Sequence, residues 1–309
     1  MDRVHDLVIL GGGPAGYTAA LYAARSGMDV TVLEKLSAGG QMGLTAQIDN
    51  YPGFPQGIDG FTLGQQMQAG AERFGARTLL AEVTAARLTG PVKELETSEG
   101  LLKARAVVLA TGATPRHLGL AGEEALTGRG VNYCAACDGM FYKGKTVAVV
   151  GGGNSAVGDA LLLARVAKEV ILLHRRDTLR ASSIYDKALA EAENLTIRWN
   201  TVVTELLHDQ RLTGLALQDT VTGETDTLSC DGVFVSVGRA PATELFRGQV
   251  TLDPAGYVQA DETTRTNLPG VFAVGDVRTK PLRQVVTAVA DGAVAVHFAE
   301  EYLAQQGTP

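Results

Sequence analysis

The apolar positions of the chain gather into short runs, each closed by a glycine-rich turn. Leu7-Val8-Ile9-Leu10 is the first, and it stops at Gly11-Gly12-Gly13-Pro14-Ala15-Gly16. A helical stretch follows from Tyr17 to Ser26, and a second run, Val30 to Leu33, ends at Glu34 and Lys35. The pattern predicts a strand, a turn, a helix and a strand. It recurs at a fixed offset, 151 − 11 = 140. Thr146 to Val150 is the strand, Gly151-Gly152-Gly153-Asn154-Ser155-Ala156 the turn, Val157 to Ala167 the helix and Val170 to Leu173 the next strand. Ala20/Ala160, Leu21/Leu161, Ala24/Ala164, Arg25/Arg165, Val30/Val170 and Leu33/Leu173 are identical pairs without a gap, which marks a second unit of the same kind.

Glycines at G-x-G-x-x-G spacing after a strand let the backbone approach a pyrophosphate, which the positive end of the following helix attracts. In the first unit Gly11, Gly13, Pro14, Ala15 and Gly16 are the candidates, with Glu34 at the strand tip to accept hydrogen bonds from a ribose. The offset carries Glu34 onto His174, and there the chemistry changes. Arg175 and Arg176 follow, with Arg180 nearby. A carboxylate would repel a 2′-phosphate, whereas guanidinium groups bind phosphate through paired hydrogen bonds. The first site is thus expected to take a nucleotide with a free ribose, the second NADPH. The plainer reading of His-Arg-Arg is a solvated basic patch.

Two further segments belong with the first site. Val107 to Ala113 reads as a buried strand ending in a turn of small residues that includes Thr111 and Gly112. Val271 to Asp276 is another, whose Gly275-Asp276 ending suits a hydrogen bond to a flavin's ribityl chain. The next helix aims its N-terminus at the isoalloxazine through Arg283, Gln284 and Val285. These segments flank the second unit, so the expectation is an α/β chain of two Rossmann-like nucleotide-binding domains, one inserted in the other. Residues 1–114 and 246–309 form the FAD domain, and residues 115–245 the NADPH domain. Linkers fall near Thr114 to His117 and Gly238 to Glu244.

Composition narrows the class. With 309 residues, 45% hydrophobic and 20% charged, the chain reads as a soluble globular protein. Its net charge of −7 argues against nucleic acid or an anionic membrane as main partner. Met1 to Asp6 is too short and too polar for a signal peptide, and no apolar run of about eighteen residues is present to span a bilayer. The cytoplasm is the expected compartment.

Three cysteines are too few for a secreted disulfide framework. Cys134-Ala135-Ala136-Cys137-Asp138 places two of them at CxxC spacing, where they can close a disulfide, and the acid can supply a proton to a departing thiolate. A structural zinc site wants four ligands, and no second pair exists; His117 and Cys230 do not complete one. An inert reduced pair is the remaining alternative. Cys230 is expected to be a buried small hydrophobe. Gly139 to Thr146 fits the P-loop expression, but it feeds into a strand instead of opening a helix and is set aside. Asn194-Leu195-Thr196 fits a glycosylation acceptor, without meaning in a cytoplasmic chain.

The FAD fingerprint, the inserted His-Arg-Arg unit, Cys-x-x-Cys-Asp-Gly and the late Val-Gly-Asp segment together resemble the low-molecular-weight thioredoxin reductases over almost the whole chain. The resemblance includes Gly39-Gly40-Gln41, Asn50-Tyr51-Pro52-Gly53 and Arg283-Gln284, which in that family contact the flavin. It implies a homodimer that exchanges disulfides with thioredoxin. Cys137 would face the flavin and form the mixed disulfide, Cys134 would resolve it, and Asp138 would act as acid and base. Asn154, Ser155, His174, Arg175, Arg176 and Arg180 fall on the family's NADPH contacts. Ala136 departs from the family's usual threonine, Met140 from its usual aromatic, and Gly238-Arg239-Ala240-Pro241-Ala242 lacks the asparagine often found after the proline.

Two rival functions remain. A dithiol oxidase of similar fold passes electrons to oxygen and needs no NADPH, so Arg175 and Arg176 count against it. A nucleotide-bound redox sensor would use the cysteine pair only to change shape, and Asp138 beside the pair disfavours it. For a reductase, the position of the pair implies motion. Thr146, the start of the inserted strand, lies only nine positions after Cys137 (146 − 137 = 9), so disulfide and nicotinamide ride on one domain while both must reach a flavin on the other. A rigid rotation of residues near 115–245 is expected.

Overall fold

Two parallel ladders of identical register organise the chain. In the computed structural model, which describes residues 3–45 and 47–307, Val4–Leu10 pairs with Val30–Glu34 from Leu7↔Val30 to Leu10↔Leu33. Thr146–Val150 pairs with Glu169–Leu173 from Val147↔Val170 to Val150↔Leu173, so adding 140 to each partner of the first ladder yields the second. Met1 and Asp2, part of the leader reading, lie outside the described residues.

The first strand starts at Val4, ahead of the apolar run, because Val4 and His5 also pair with Lys103 and Ala104 of the neighbouring strand Gly100–Leu109. Both fingerprint helices begin earlier than their apolar stretches. Pro14–Arg25 starts on a proline, whose missing N–H costs nothing in a first turn, and Asn154–Ala164 starts on the residue after the glycine loop. The strand expected through Ala113 ends at Leu109, where Gly100–Leu109 leaves the sheet.

The described residues up to Thr114 and from Ala240 onward form one compact unit, and Pro115–Arg239 forms the other. In the first, the strand order is Arg77–Leu80, Val30–Glu34, Val4–Leu10, Gly100–Leu109, Lys93–Thr97, Val83–Arg87. Gly100–Leu109 changes partner along its length. Its first half pairs antiparallel with Lys93–Thr97, and Val107 to Leu109 pair parallel with Val271–Ala273. Leu7 and Ile9 face the helix Pro14–Arg25 and the long helix Val285–Gln305, while Val8 and Leu10 face a second core with Phe246 and Val258. The two helices approach through small residues: a Cβ on Gly292 would overlap the Ala15 carbonyl.

In the second unit the order is Leu195–Arg198, Glu169–Leu173, Thr146–Val150, Gly232–Val235, Val131–Asn132, all parallel. A three-stranded antiparallel sheet, Thr201–His208, Leu212–Asp219 and Thr225–Ser229, packs Leu206 and Leu215 against Ala148 and Val233. Here the Arg116 N–H donates to Gly238 O at 3.0 Å, and in the first unit the Ala242 N–H donates to Gly112 O at 3.0 Å. No helix among the described residues is long and apolar enough to cross a membrane.

Candidate active site

The glycine loop of the first unit is shaped by close approach. A Cβ on Gly11 (φ +107°) would run into the Ala110 carbonyl, and one on Gly16 into the Gly11 carbonyl. Gly13, by contrast, opens onto space with nothing within 4 Å of a Cβ. It is the N-cap of Pro14–Arg25 and gives that helix no side-chain cap, so the first-turn amides keep their capacity for an anion. Gly40, at φ +54°, crosses above it, with a Cβ position 3.5 Å from Gly13 Cα. Such a groove, bare of side chains over a helix N-terminus, fits a pyrophosphate. Glu34 accepts the Gly12 N–H on Oε2 at 2.7 Å and the Leu36 N–H on Oε1 at 3.0 Å. Lys35 points away onto Glu82, 2.6 Å distant.

Other expected residues converge on the same unit. The Asn50 amide donates to Gln284 Oε1 at 3.1 Å, joining its loop to the start of Val285–Gln305, where Gln284 and Thr287 form a capping box. Gln41 sits exposed in the short turn Gly40–Leu44, and Thr111 Oγ1 donates to Ala242 O at 2.7 Å beside Gly112 (φ +71°). The Cβ position of Gly275 lies 3.1 Å from the Ala15 Cβ, which sets Gly275-Asp276 beside the fingerprint. Arg283 donates to the carbonyls of Asp276 and Arg278, and its guanidinium lies 3.9 Å from the centre of the Tyr257 ring.

Beneath these lies a cluster absent from the sequence reading. Asp291, buried in the long helix, accepts the Gly275 N–H at 2.8 Å, two hydrogen bonds from Arg278 and one from Lys280. Burial pushes its carboxyl up, but the hydrogen bonds and charges of Arg278 and Lys280 outweigh that and hold it below the usual carboxylate range. Two cations against one carboxylate leave a buried excess of positive charge. The signal was present: Asp291 is the lone charge in the apolar stretch Val285 to His297.

In the second unit a Cβ on Gly151 would meet Ser236 O, while Gly153 again opens onto space at an uncapped helix N-terminus. Asn154 Oδ1 accepts the Ser182 N–H at 2.8 Å, and Gly152 O accepts the Arg180 N–H at 2.7 Å, which folds residues 180–182 onto the loop. Ser155 is exposed and Ala156 buried. Arg175, Arg176 and Arg180 are exposed, and among the described residues none of them forms an ion pair. His174, expected beside them, is buried at 4% exposure. Asp159, another acid not singled out before, accepts the Ser236 hydroxyl at 2.5 Å, and burial raises its carboxyl against that bond and the Arg239 charge.

Cys134 and Cys137 are disulfide-bonded, with Cα atoms 5.3 Å apart. Cys134 caps the single helical turn Ala135–Asp138, its Sγ accepting the Cys137 N–H at 3.2 Å. Asp138 follows with no hydrogen-bond partner for its carboxyl among the described residues, and burial pushes its pKa up to about 6. Tyr133, just before the pair, donates to the buried carboxylate of Glu123 at 2.9 Å. Glu123 in turn accepts the amides of Leu118, Gly119 and Leu120. Met140 and Phe141 are exposed. Cys230 is buried and unbonded, its thiol pushed up to about 12 by burial. Gly139–Tyr142 is a short 3₁₀ turn leading towards the strand Thr146–Val150, not a P-loop. Among the described residues no cluster of three or more His, Cys, Asp or Glu is placed to hold a metal ion.

Comparison with known proteins agrees with this chemistry. Residues 5–292 match the pyridine nucleotide-disulphide oxidoreductase family. The chain is 48% identical over 306 residues to a thioredoxin reductase of Mycolicibacterium smegmatis, covering 99% of this chain and 98% of the relative. It is 44% identical over 306 residues to a bifunctional thioredoxin reductase/thioredoxin of Mycobacterium leprae, covering 98% of this chain and 67% of the relative. The crystal structure of thioredoxin reductase from Streptococcus pyogenes superposes with a TM-score of 0.90 at 40% identity, covering 99% of this chain and 100% of that one.

Proposed function

The chain belongs to the pyridine nucleotide-disulphide oxidoreductase family, and we infer that it is a thioredoxin reductase. It passes electron pairs from NADPH through FAD to a disulfide and on to thioredoxin. The observation that carries this reading is the Cys134–Cys137 bond, followed at once by an acid and housed in a unit with its own glycine loop.

We assign FAD to residues 1–114 with 246–309, and NADPH to residues 115–245. The uncapped first turn of Pro14–Arg25 would take the FAD pyrophosphate over Gly13, with the Glu34 carboxylate on the ribose. Gly275-Asp276 and the start of Val285–Gln305 would hold the ribityl chain and ring. Gly153 and the first turn of Asn154–Ala164 would take the NADPH pyrophosphate, with Arg175, Arg176 and Arg180 free for the 2′-phosphate. When bound, FAD supplies a centre that accepts two electrons from a dihydronicotinamide and hands them to a disulfide.

Reduction breaks the Cys134–Cys137 bond and gives each sulfur one electron of the pair. The Asp138 carboxyl, titrating near neutrality, can give a proton to the leaving sulfur and take it back. The Cys137 thiolate attacks one sulfur of the thioredoxin disulfide, and the other thioredoxin sulfur departs and is protonated. The Cys134 thiolate then attacks Cys137. This re-forms the bond and releases the second thioredoxin thiolate.

Thioredoxin is the substrate partner. A homodimer and the cytoplasm are proposed further, the first tested by sedimentation, the second by fractionation. The experiment for the function is NADPH consumption with and without thioredoxin. Consumption should be steady only with thioredoxin, and Cys134→Ser or Cys137→Ser should abolish it while NADPH still bleaches the flavin. Thioredoxin reduction by the double serine variant would overturn the route.

A further inference from the structure

His174 ends the strand Glu169–Leu173 with its ring turned inward. Nε2 lies 2.8 Å from Thr178 O, and since a carbonyl only accepts, the Nε2–H donates. One edge meets the Trp199 ring at 6.2 Å between centroids. The ring also occupies the space a side chain on Gly152 would need: a Cβ there would overlap its Cε1 and Nδ1. Gly152 O is gripped at the same time by the Arg180 N–H at 2.7 Å. The ring therefore bears on the middle glycine of the loop while tying down the turn that carries the arginines. In the first unit the residues 140 positions earlier are Gly12 and Glu34, and there the Glu34 carboxylate accepts the Gly12 N–H. In both units the residue at the tip of the second strand props the middle glycine of the loop.

We propose that His174 is a positioning residue that shapes the pyrophosphate loop through Gly152 and the arginine turn through Thr178, and is not a ligand of the 2′-phosphate. The ring is almost wholly buried, its Nε2 is committed to Thr178 O and its Nδ1 edge lies over Gly152, so neither edge is turned outward to a phosphate. Recognition of the 2′-phosphate falls to Arg175, Arg176 and Arg180. The proposal rests on reading the second unit as the NADPH site.

Binding of NADP⁺ and NAD⁺ to the FAD-loaded protein, measured by titration calorimetry, separates the roles. His174→Ala should weaken both coenzymes, each by about tenfold, because both use the pyrophosphate loop. Arg175→Ala with Arg176→Ala should weaken NADP⁺ alone. Gly152→Ala leaves every charge in place and should reproduce the loss with both coenzymes. Combined with His174→Ala it should cost little more than either change alone, because the ring it displaces is already gone. A His174→Ala variant that loses NADP⁺ affinity but keeps that for NAD⁺ would overturn the positioning role, as would full additivity with Gly152→Ala. Equal losses of both coenzymes in the double arginine variant would instead overturn the 2′-phosphate reading itself.

Discussion

Arg278 grips Asp291 with two parallel hydrogen bonds, Nε to Oδ2 at 2.8 Å and Nη2 to Oδ1 at 2.7 Å, both side chains being buried. Lys280 adds a third contact at 2.8 Å and the Gly275 amide a fourth. Removing the carboxylate would strand two buried cations, a loss of about 3–5 kcal/mol. Asp291→Ala should therefore unfold the first unit at lower urea and release FAD. The Asp291 carboxyl is held low in the fold, so its contribution is complete above the ordinary carboxylate range. It is lost as pH falls through the folded value. Stability of Asp291→Asn should accordingly depend less on pH in acid than that of the parent. Parallel acid curves for the two would refute the assignment.

Asp138 has the opposite sign. Its folded pKa, pushed up to about 6, lies above the unfolded value, so the cost of the carboxylate to folding builds as pH rises from the unfolded value and is complete above about 6. Asp138→Asn should be more stable than the parent at pH 8, by at most about 3 kcal/mol, and no more stable well below pH 4. Thioredoxin turnover should drop and lose its titration near pH 6. Denaturant midpoints across pH and a turnover profile check both halves.

Gly13 and Gly16 serve different ends of one loop. A methyl at Gly16 would collide with the Gly11 carbonyl inside the protein, whereas one at Gly13 meets nothing within 4 Å. Gly16→Ala should destabilise the FAD-free protein, and Gly13→Ala should leave its melting unchanged. Both should lose FAD affinity while NADP⁺ binding to the second unit persists. Normal FAD retention by Gly13→Ala would remove the pyrophosphate from that groove.

On the proposed assignment the redox pair and the NADPH loop belong to one stretch of chain and the FAD groove to another, with two crossings between them. If both carriers serve one flavin in this way, we propose a rotation about Thr114–His117 and Gly238–Glu244. Such closures run on the μs–ms scale. A disulfide engineered between the units to hold Cys137 at the flavin should block NADPH-driven flavin reduction until a reductant frees it. Undiminished turnover in the locked protein would eliminate the motion.

The duplicated units were legible because glycine turns and apolar runs are local signals, and one offset aligned both. Side-chain direction was not. His174 reads as one of four contacts to the coenzyme, with Arg175, Arg176 and Arg180; that its ring fills the space over Gly152 has no signature in the local pattern. Lys93 is fully buried, its ammonium satisfied by Gly90 O at 3.0 Å and the Tyr302 hydroxyl at 3.2 Å. Tyr302 is 209 residues away, beyond any window along the chain. The antiparallel strand Thr225–Ser229 went unread for a related reason: with Leu228 its one apolar residue, it owes its form to the ladder beside it.

The partner change along Gly100–Leu109 sets an order of events during synthesis. Val107 to Leu109 find their second neighbour only in Val271–Ala273, and the helix that covers that face ends at Gln305. The whole of Pro115–Arg239 leaves the ribosome first. At about 5–20 residues per second, the open strand edge waits roughly eight to thirty-three seconds for its partner, while the inner unit already has every strand it needs. The nascent chain thus completes its middle before its beginning, and the unprotected edge at Val107 to Leu109 is where a chaperone would have most to shield.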